Sequence, residues 1–587
     1  MDGSFDARME KLGDVIARGQ HTIPRYQRRY AWEENNIRDF WNDIVKEKKK
    51  SHFLGSMVVA NADDLLEVID GQQRLTTTLI LLTVLRDRFD AHGLSQLTEG
   101  IQQYLTYKDL NGNDQVRLEN VDQSARNRLI DEVLIRPEER EETSGEVSKE
   151  RRAYEVFSEL LDGVLSETDD VESVLVFIRD ALLQANVVYV KVADRPSAFT
   201  IFETLNDRGR DLTVMDLVKN LLLSKLPASA DEKTERDWSE MLENLELAEI
   251  EGVTPPDFLY YYWNSKAPKG ESTHEEITNT RIRRSIQDFI EGGHGEDEAI
   301  ERGKELVGDL KITARIFLAL SETLQSRGSA EPWKRLDQTW REDKWIKICR
   351  ELHGILVTGA NQPLPLLFSL MRRYIDPKRQ MKNADLAEFL RVIKIFQFRW
   401  SIAQKPSTST QRRMYRRAAA GVETAQTTED LRQVIKTFSA AANQQMATDN
   451  QFRSGLEKLV YSRTRRKDIG KVKYILTEVE RDTGCTRVDF KDPVSIEHLE
   501  GQGKKSEITP RNSWVFKLGN LTLLHPDVNS KLPKEFKDKT DRLAEWVNPA
   551  DEALVDAIQS GIWGAPKANE RMIWIQDQAM NIWPGSV

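Results

Sequence analysis

Ser495-Ile496-Glu497-His498-Leu499, then Leu518-Gly519-Asn520-Leu521-Thr522-Leu523-Leu524, then Asn529 and Lys539, form the stretch around which the chain is read. A carboxylate stands beside a histidine, a hairpin-like return carries one asparagine, and a second asparagine and a lysine follow. Hydrolysis of a phosphodiester asks for a base to deprotonate water, a cation facing the charge that builds on phosphate, and stabilisation of the leaving oxygen. In that reading His498 is the general base. Glu497, on the opposite side of the strand or at its end, and the side-chain carbonyl of Asn529 offer hard oxygens to a divalent ion. Asn520 would hold the loop and orient His498, and Lys539 would face phosphate. Taken alone, Glu497-His498 reads more readily as a partly buried polar pair and Leu518 to Leu524 as a core strand. The ordered succession of Asn520, Asn529 and Lys539 favours the site. His525, beside Pro526, reads as structural.

At 587 residues the chain exceeds one ordinary core, so about two to four folding units are expected. The expected division is 1–226, 227–440 and 441–587. Hydrophobic content of 39% with 31% charged residues fits a globular chain, and the longest apolar run, Leu75 to Leu85, falls short of the roughly 18 residues a membrane span needs. Cys349 and Cys485 are too few for a disulfide framework or a four-cysteine zinc site, and Met1 to Asp6 has no basic segment leading into an apolar one, so a cytoplasmic location is expected. The net charge of -10 argues against a nonspecific nucleic-acid coat but leaves room for a local groove. Two basic runs stand out. Arg412, Arg413, Arg416 and Arg417 form one, and Arg463, Arg465, Arg466, Lys467, Lys471 and Lys473 the other; each reads as a solvated helix face or a phosphate-binding stripe.

Phe53 to Ala60 and Leu65 to Asp70 read as two strands joined by a turn over Asn61 to Asp64. Leu75, Leu79, Leu82, Leu85 and Phe89 then recur at helical spacing, which puts Asp70-Gly71-Gln72-Gln73-Arg74 where a strand gives way to a helix N-terminus, a place with free backbone N–H groups for an anion. Val187 to Val192 predicts a buried strand, and Thr213 with Asp216 a helix start. From about Asp231 to Ala440 helical periodicity dominates. The expected class is α+β, predominantly helical.

Upstream, Ile23-Pro24-Arg25-Tyr26-Gln27-Arg28-Arg29-Tyr30-Ala31-Trp32 mixes arginines able to fork onto phosphate with aromatics able to stack on a base; its plain alternative is a surface segment with its rings packed inward. Gly71 would let backbone approach a ligand, Arg74 would supply charge, and Asp70 or Gln72 would handle water or a metal, against a simpler salt bridge from Arg74 to Asp70 or Glu67. The chain has no Gly-x-x-x-x-Gly-Lys-Ser/Thr loop.

Ile496 to Leu499, Gln502, Leu518 to Leu524, Asn529, Phe536 and Lys539, with Arg571 and Trp583 in the tail, resemble the HNH, or ββα-metal, nuclease domain at the C-terminus of GmrSD-type modification-dependent restriction enzymes. Gly501 departs from a proline common in that family, and Asn529 stands where many HNH nucleases carry a last histidine, which favours Mg²⁺ over a softer ion. The 23–32 and 70–74 segments, with Phe202 to Gly209 and Leu212 to Asn220, resemble the ParB-related α/β N-terminal domain of the same family. That resemblance implies nucleotide binding and hydrolysis coupled to recognition of modified DNA. It nominates Arg25, Gln27, Arg28, Asp70, Gly71, Gln72, Gln73 and Arg74 for the nucleotide, and more weakly Asn206, Asp207 and Arg208. The implied cofactors are Mg²⁺ or Mn²⁺ and a nucleoside triphosphate, GTP ahead of ATP. The implied partners are modified double-stranded DNA and the nucleotide, with no membrane, and a homo-oligomer is left open. Two target classes stay open, hydroxymethylated or glucosylated cytosine and, as in SspE-like proteins, backbone phosphorothioate. Two rival readings are a nucleotide-dependent, ParB-like DNA-binding regulator that does not cleave and a helical adaptor without either activity.

Overall fold

The computed structural model describes residues 5–24, 27, 29–45, 52–62, 65–121, 123–140, 147–193, 197–198, 201, 215, 218–219, 222, 232–267, 276–292, 295–337, 340–379, 381–406, 408–462, 465–484, 494–501 and 513–587. Arg25, Arg28, Asn206, Asp207, Arg208, Gln502, Arg463 and the Thr213/Asp216 helix start lie outside them. Contacts divide the chain into a unit of 1–242 with 286–309 and a unit of 243–285 with 310–587. Predominantly helical α+β architecture holds in both, and among the described residues no helix is long and apolar enough to cross a membrane.

The first unit is built on a mixed sheet. Its strands are β1 (Phe5–Lys11), β2 (His21–Ile23), β3 (Phe53–Ala62), β4 (Leu65–Asp70), β7 (Leu118–Asn120) and β8 (Asn186–Val192), in the spatial order β1-β8-β3-β4-β2-β7. β5 (Thr106–Lys108) and β6 (Asp114–Val116) form a separate hairpin. β3 and β4 pair antiparallel, as a short connection requires, whereas β3 and β8 run parallel and so need the long helical crossover between them. The four inner residues of β4, Leu66 to Ile69, are all buried, the mark of a strand covered on both faces. The helix Gln72–Ala91 is buried on nearly every side, including Leu75, Leu79, Leu82 and Leu85, and packs against the helices Ser95–Leu105 and Lys149–Leu165. Its buried Thr77 and Thr83 donate their hydroxyls to the helix's own carbonyls, Gln73 O and Leu79 O, and so sit in the core without an unpaired polar group.

In the second unit helices dominate from Pro255–Ser265 through Arg466–Asp482, with the short strands β9 (Ser495–His498) and β10 (Leu521–Leu524) paired antiparallel beyond them. The helices Pro526–Asn529, Phe536–Ala544, Glu552–Ser560 and Ala565–Ile582 follow. Trp583, fully buried, stacks on Phe398 at 4.3 Å between ring centroids and also contacts Phe452 and Tyr474, so the tail closes the core of this unit. One of the two basic runs is not a uniformly solvated face. Arg416 is 1% exposed and donates to the carbonyls of Asn264 and Lys266, because a helix carbonyl end left open in the interior needs a donor.

Candidate functional site

β9 and β10 set the C-terminal constellation by register. Leu521 lies opposite His498 and Thr522 opposite Glu497, so the two polar residues occupy successive, oppositely facing positions at the strand's end. Asn520 is fully buried and brackets the loop after the histidine: its Oδ1 accepts from Glu500 N at 2.9 Å and its Nδ2 donates to Glu500 O at 3.1 Å and Val515 O at 2.8 Å. Trp563 Nε1 donates to the same Oδ1 at 2.7 Å. Asn520 therefore acts on the loop, and its backbone carbonyl receives Leu499 N at 2.9 Å. None of its side-chain hydrogen bonds among the described residues goes to the imidazole.

What holds the imidazole is a different region. His498 is 9% exposed, sits against the rings of Tyr461 and Phe516, and hydrogen-bonds the backbone of Tyr461. Burial, reinforced by the Lys539 charge, pushes its pKa down to about 4, while the Tyr461 hydrogen bond opposes the shift. At neutral pH the ring is uncharged and able to accept a proton, which is the state a general base requires.

Lys539, expected to face phosphate, turns inward. Its ammonium is 2% exposed and contacts Glu497 Oε1 at 2.5 Å, His498 O at 2.9 Å and Leu499 O at 3.4 Å. The reason is its place in the helix Phe536–Ala544, whose buried face also carries Phe536 and Leu543, so a cation there is satisfied by the carbonyls and the carboxylate at the end of β9. Asn529, on the short helix Pro526–Asn529, donates its Nδ2 to Ile496 O at 3.3 Å, which commits the amide nitrogen to β9 and leaves Oδ1 as its acceptor. Glu497 and Asn529 thus both lie at β9, offering an acidic and an amide oxygen of the kind a hard divalent ion takes, with Glu497 Oε1 engaged by Lys539. No group of three or more His, Cys, Asp or Glu that could hold a metal occurs among the described residues. His525 caps the short helix, accepting from Asp527 N at 3.3 Å.

Two of the quoted residues, Arg571 and Gly519, act as supports around this constellation. Arg571 and Asp551 form a fully buried pair at 2.5 Å, and Arg571 also donates to the carbonyls of Gly519 at 3.1 Å and Leu521 at 2.6 Å, fixing the entry to β10. Gly519 is demanded by the same packing: a Cβ there would lie 2.0 Å from the carbonyl oxygen of Ala568 on the helix Ala565–Ile582.

In the first unit the two N-terminal motifs converge. Gly71, at φ +93°, turns the chain from β4 directly into the helix Gln72–Ala91, a conformation that glycine adopts without strain. Gln73 clamps the 29–31 backbone, accepting from Ala31 N at 2.8 Å and donating to Arg29 O at 3.1 Å, and Tyr30 meets Thr77 at 2.8 Å. Gln27 donates to Ile69 O at 2.8 Å and accepts from Lys219 Nζ at 2.9 Å. Gln72 is buried in the first turn of the helix. Arg74 lies 3.5 Å from Asp70 and donates to Leu54 O, so the simpler alternative, an ion pair to Asp70, is present. Burial raises the Asp70 pKa, opposed by the charges of Arg74 and Lys219 and by hydrogen bonds from Gly71 and Ser56. Lys219 is the residue that sequence reasoning passed over. It was quoted within a motif, but nothing local ties it to a glutamine 192 positions earlier.

Family models supply the comparison. Residues 10–223 match the model described as GmrSD restriction endonuclease, N-terminal domain, and residues 446–572 match that described as GmrSD restriction endonucleases, C-terminal domain. No curated protein matches the chain. The C-terminal match contains Glu497, His498, Asn520, Asn529 and Lys539, the N-terminal match contains Gln27, Asp70, Arg74 and Lys219, and with both domains present in order the chain belongs to the GmrSD restriction endonuclease family.

Proposed function

We propose that this chain is a modification-dependent DNA endonuclease whose C-terminal constellation hydrolyses a phosphodiester and whose N-terminal joint binds and turns over a nucleoside triphosphate. The observation that carries the nuclease reading is geometric: His498, hydrogen-bonded to the Tyr461 backbone, ends β9 beside Glu497, and Asn529 is tied to the same strand. His498 takes a proton from the attacking water, the water oxygen bonds to phosphorus, and the bond to the leaving sugar oxygen breaks. Glu497 and Asn529 would hold Mg²⁺ or Mn²⁺. The ion, when bound, supplies positive charge beside the phosphate. Lys539 steadies Glu497 and the backbone on which His498 sits, and Asn520 keeps the following loop against β10.

For the nucleotide, the first turn of the Gln72–Ala91 helix, entered through Gly71, offers backbone N–H groups to a phosphate, with Arg74 and Lys219 as nearby cations. GTP is placed ahead of ATP on the family resemblance. The target is duplex DNA bearing hydroxymethylated or glucosylated cytosine, or a phosphorothioate backbone. The non-cleaving reading draws on one observation, the Lys539 ammonium already seated on Glu497, and predicts DNA binding without nicking.

The test is to challenge unmodified, hydroxymethylated, glucosylated and phosphorothioate plasmids with the pure protein, with and without Mg²⁺, GTP and ATP. Metal-dependent nicking confined to one modified class supports the reading. Binding without cleavage of any of the four, at every metal and nucleotide combination, overturns it in favour of the regulator.

A further inference from the structure

The run containing Arg412, Arg413, Arg416 and Arg417 is not absorbed by either site. Its helix, Ser409–Thr424, lies antiparallel beside Thr428–Gln445, the two being joined by a short turn, and between them is a cavity of about 530 Å³. Arg416 is buried in the core and Arg412 pairs with Glu276 at 2.9 Å. Arg413 and Arg417 instead line the cavity, are exposed, and have no acidic partner among the described residues. They stand one helical turn apart, so their charges repel, and Arg413 lies near the helix N-terminus, where positive charge is also unfavourable. Neither placement helps the helix. Both help an anion. The floor beneath them is apolar, with Met414 at 8% and Phe438 at 3% exposure, and the exposed amides of Gln433 and Gln444 edge the opposite wall.

We propose that this groove binds a nucleoside phosphate, with Arg413 and Arg417 on the phosphate, Met414 and Phe438 under the base and the two glutamines at its polar edge. Guanidinium groups fork onto phosphate oxygens, the buried Met414 and Phe438 give the groove an apolar floor, and the volume falls in the range of small-ligand pockets. The nucleotide can be free or extruded from a DNA strand, as the chemistry presented to the groove is the same. None of the lining residues belongs to the His498 or Asp70 constellations, so binding here needs neither catalytic reading.

The experiment is calorimetric titration of the full chain, in an Arg74→Ala background that weakens the N-terminal nucleotide site. The probes are deoxynucleoside monophosphates, inorganic phosphate, and short duplexes with and without a mismatch. The variants are Arg413→Ala/Arg417→Ala, which removes exposed groups that support no contact, and Thr437→Trp, which fills the groove from an exposed position. Each is expected to weaken binding by at least about tenfold. Weakening with monophosphates identifies a free-nucleotide site, and weakening confined to the mismatched duplex identifies an extruded nucleotide; both support the assignment. Affinities within about twofold of the parent in both variants, or inorganic phosphate binding as tightly as the nucleotides, overturn it.

Discussion

The Asp70 joint of the first unit and the Glu497–His498 strand of the second both end a β-strand on ionisable groups, and burial drives them in opposite directions on the pH scale. The Asp70 carboxyl is pushed up and the His498 imidazole down to about 4. In each case desolvation favours the uncharged form. The neighbours differ. Arg74 and Lys219 pull Asp70 back toward its ionised form, whereas Lys539 adds to the effect of burial on His498. The first site is a carboxyl flanked by cations, and the second is an imidazole with an ammonium beside it. The same solvent exclusion thus yields different chemistry according to the sign of the group and of the charge beside it.

The largest expected effect breaks the second half of that contrast. His498→Ala should lower nicking by about 10³-fold, in the range of a lost general base, with unchanged circular dichroism; near-parental nicking would remove the imidazole from the chemistry. Lys539→Met probes whether the inward ammonium is a clamp. Because it leaves the Glu497 carboxylate and two carbonyls without their donor, it should destabilise the second unit by about 3 kcal/mol in urea titration. Lost activity at unchanged midpoint would mean that the ammonium reaches phosphate instead.

Gly519→Ala should cost about 2 kcal/mol in the same titration, since the new Cβ meets the Ala568 carbonyl and the helix must move. An acid titration sharpens the comparison between units, because each also buries a histidine lowered to about 4, His21 in the first and His353 in the second. The unfolded chain takes up a proton near pH 6.5 that the folded imidazole refuses, so the stability is whole above 6.5 and is lost as pH falls through about 4. Between pH 7 and 5 the loss should be about 2 kcal/mol per histidine, and His21→Leu should remove that contribution from the first unit alone, where the buried Glu150 carboxyl, raised to about 7, works in the opposite sense. The smallest effect is on turnover at the N-terminal joint. Arg74→Ala should reduce nucleoside triphosphate hydrolysis roughly tenfold, the worth of one charge-assisted contact, and unchanged turnover would return Arg74 to a purely structural role.

Much of the local structure was legible in advance. The strands from Phe53 and Leu65, the buried strand through Val187 to Val192, the helix after Gly71 and the helical stretch to Ala440 all occur as the periodicity of their residues indicates. β1, β2 and β7 were not legible. They are short or exposed, and their pairing with β8 and β4 rests on partners far away in the chain. In the candidate sites, the hairpin of β9 with β10 was readable from the return through Leu521 to Leu524, while Tyr461, Trp563 and the Arg571–Asp551 pair were not, because no spacing connects them to His498 or Asn520.

From its order of residues alone, this chain determines which groups are present for chemistry and which short segments carry them, since side-chain type and helical or strand periodicity are properties of neighbours. Tertiary structure alone decided that Lys539 faces inward, that His498 is neutral, that Gln27 and Gln73 bind backbone and that Lys219 joins them. Those outcomes follow from burial and from contacts between distant segments, and solvent exclusion has no local signature before the chain has packed.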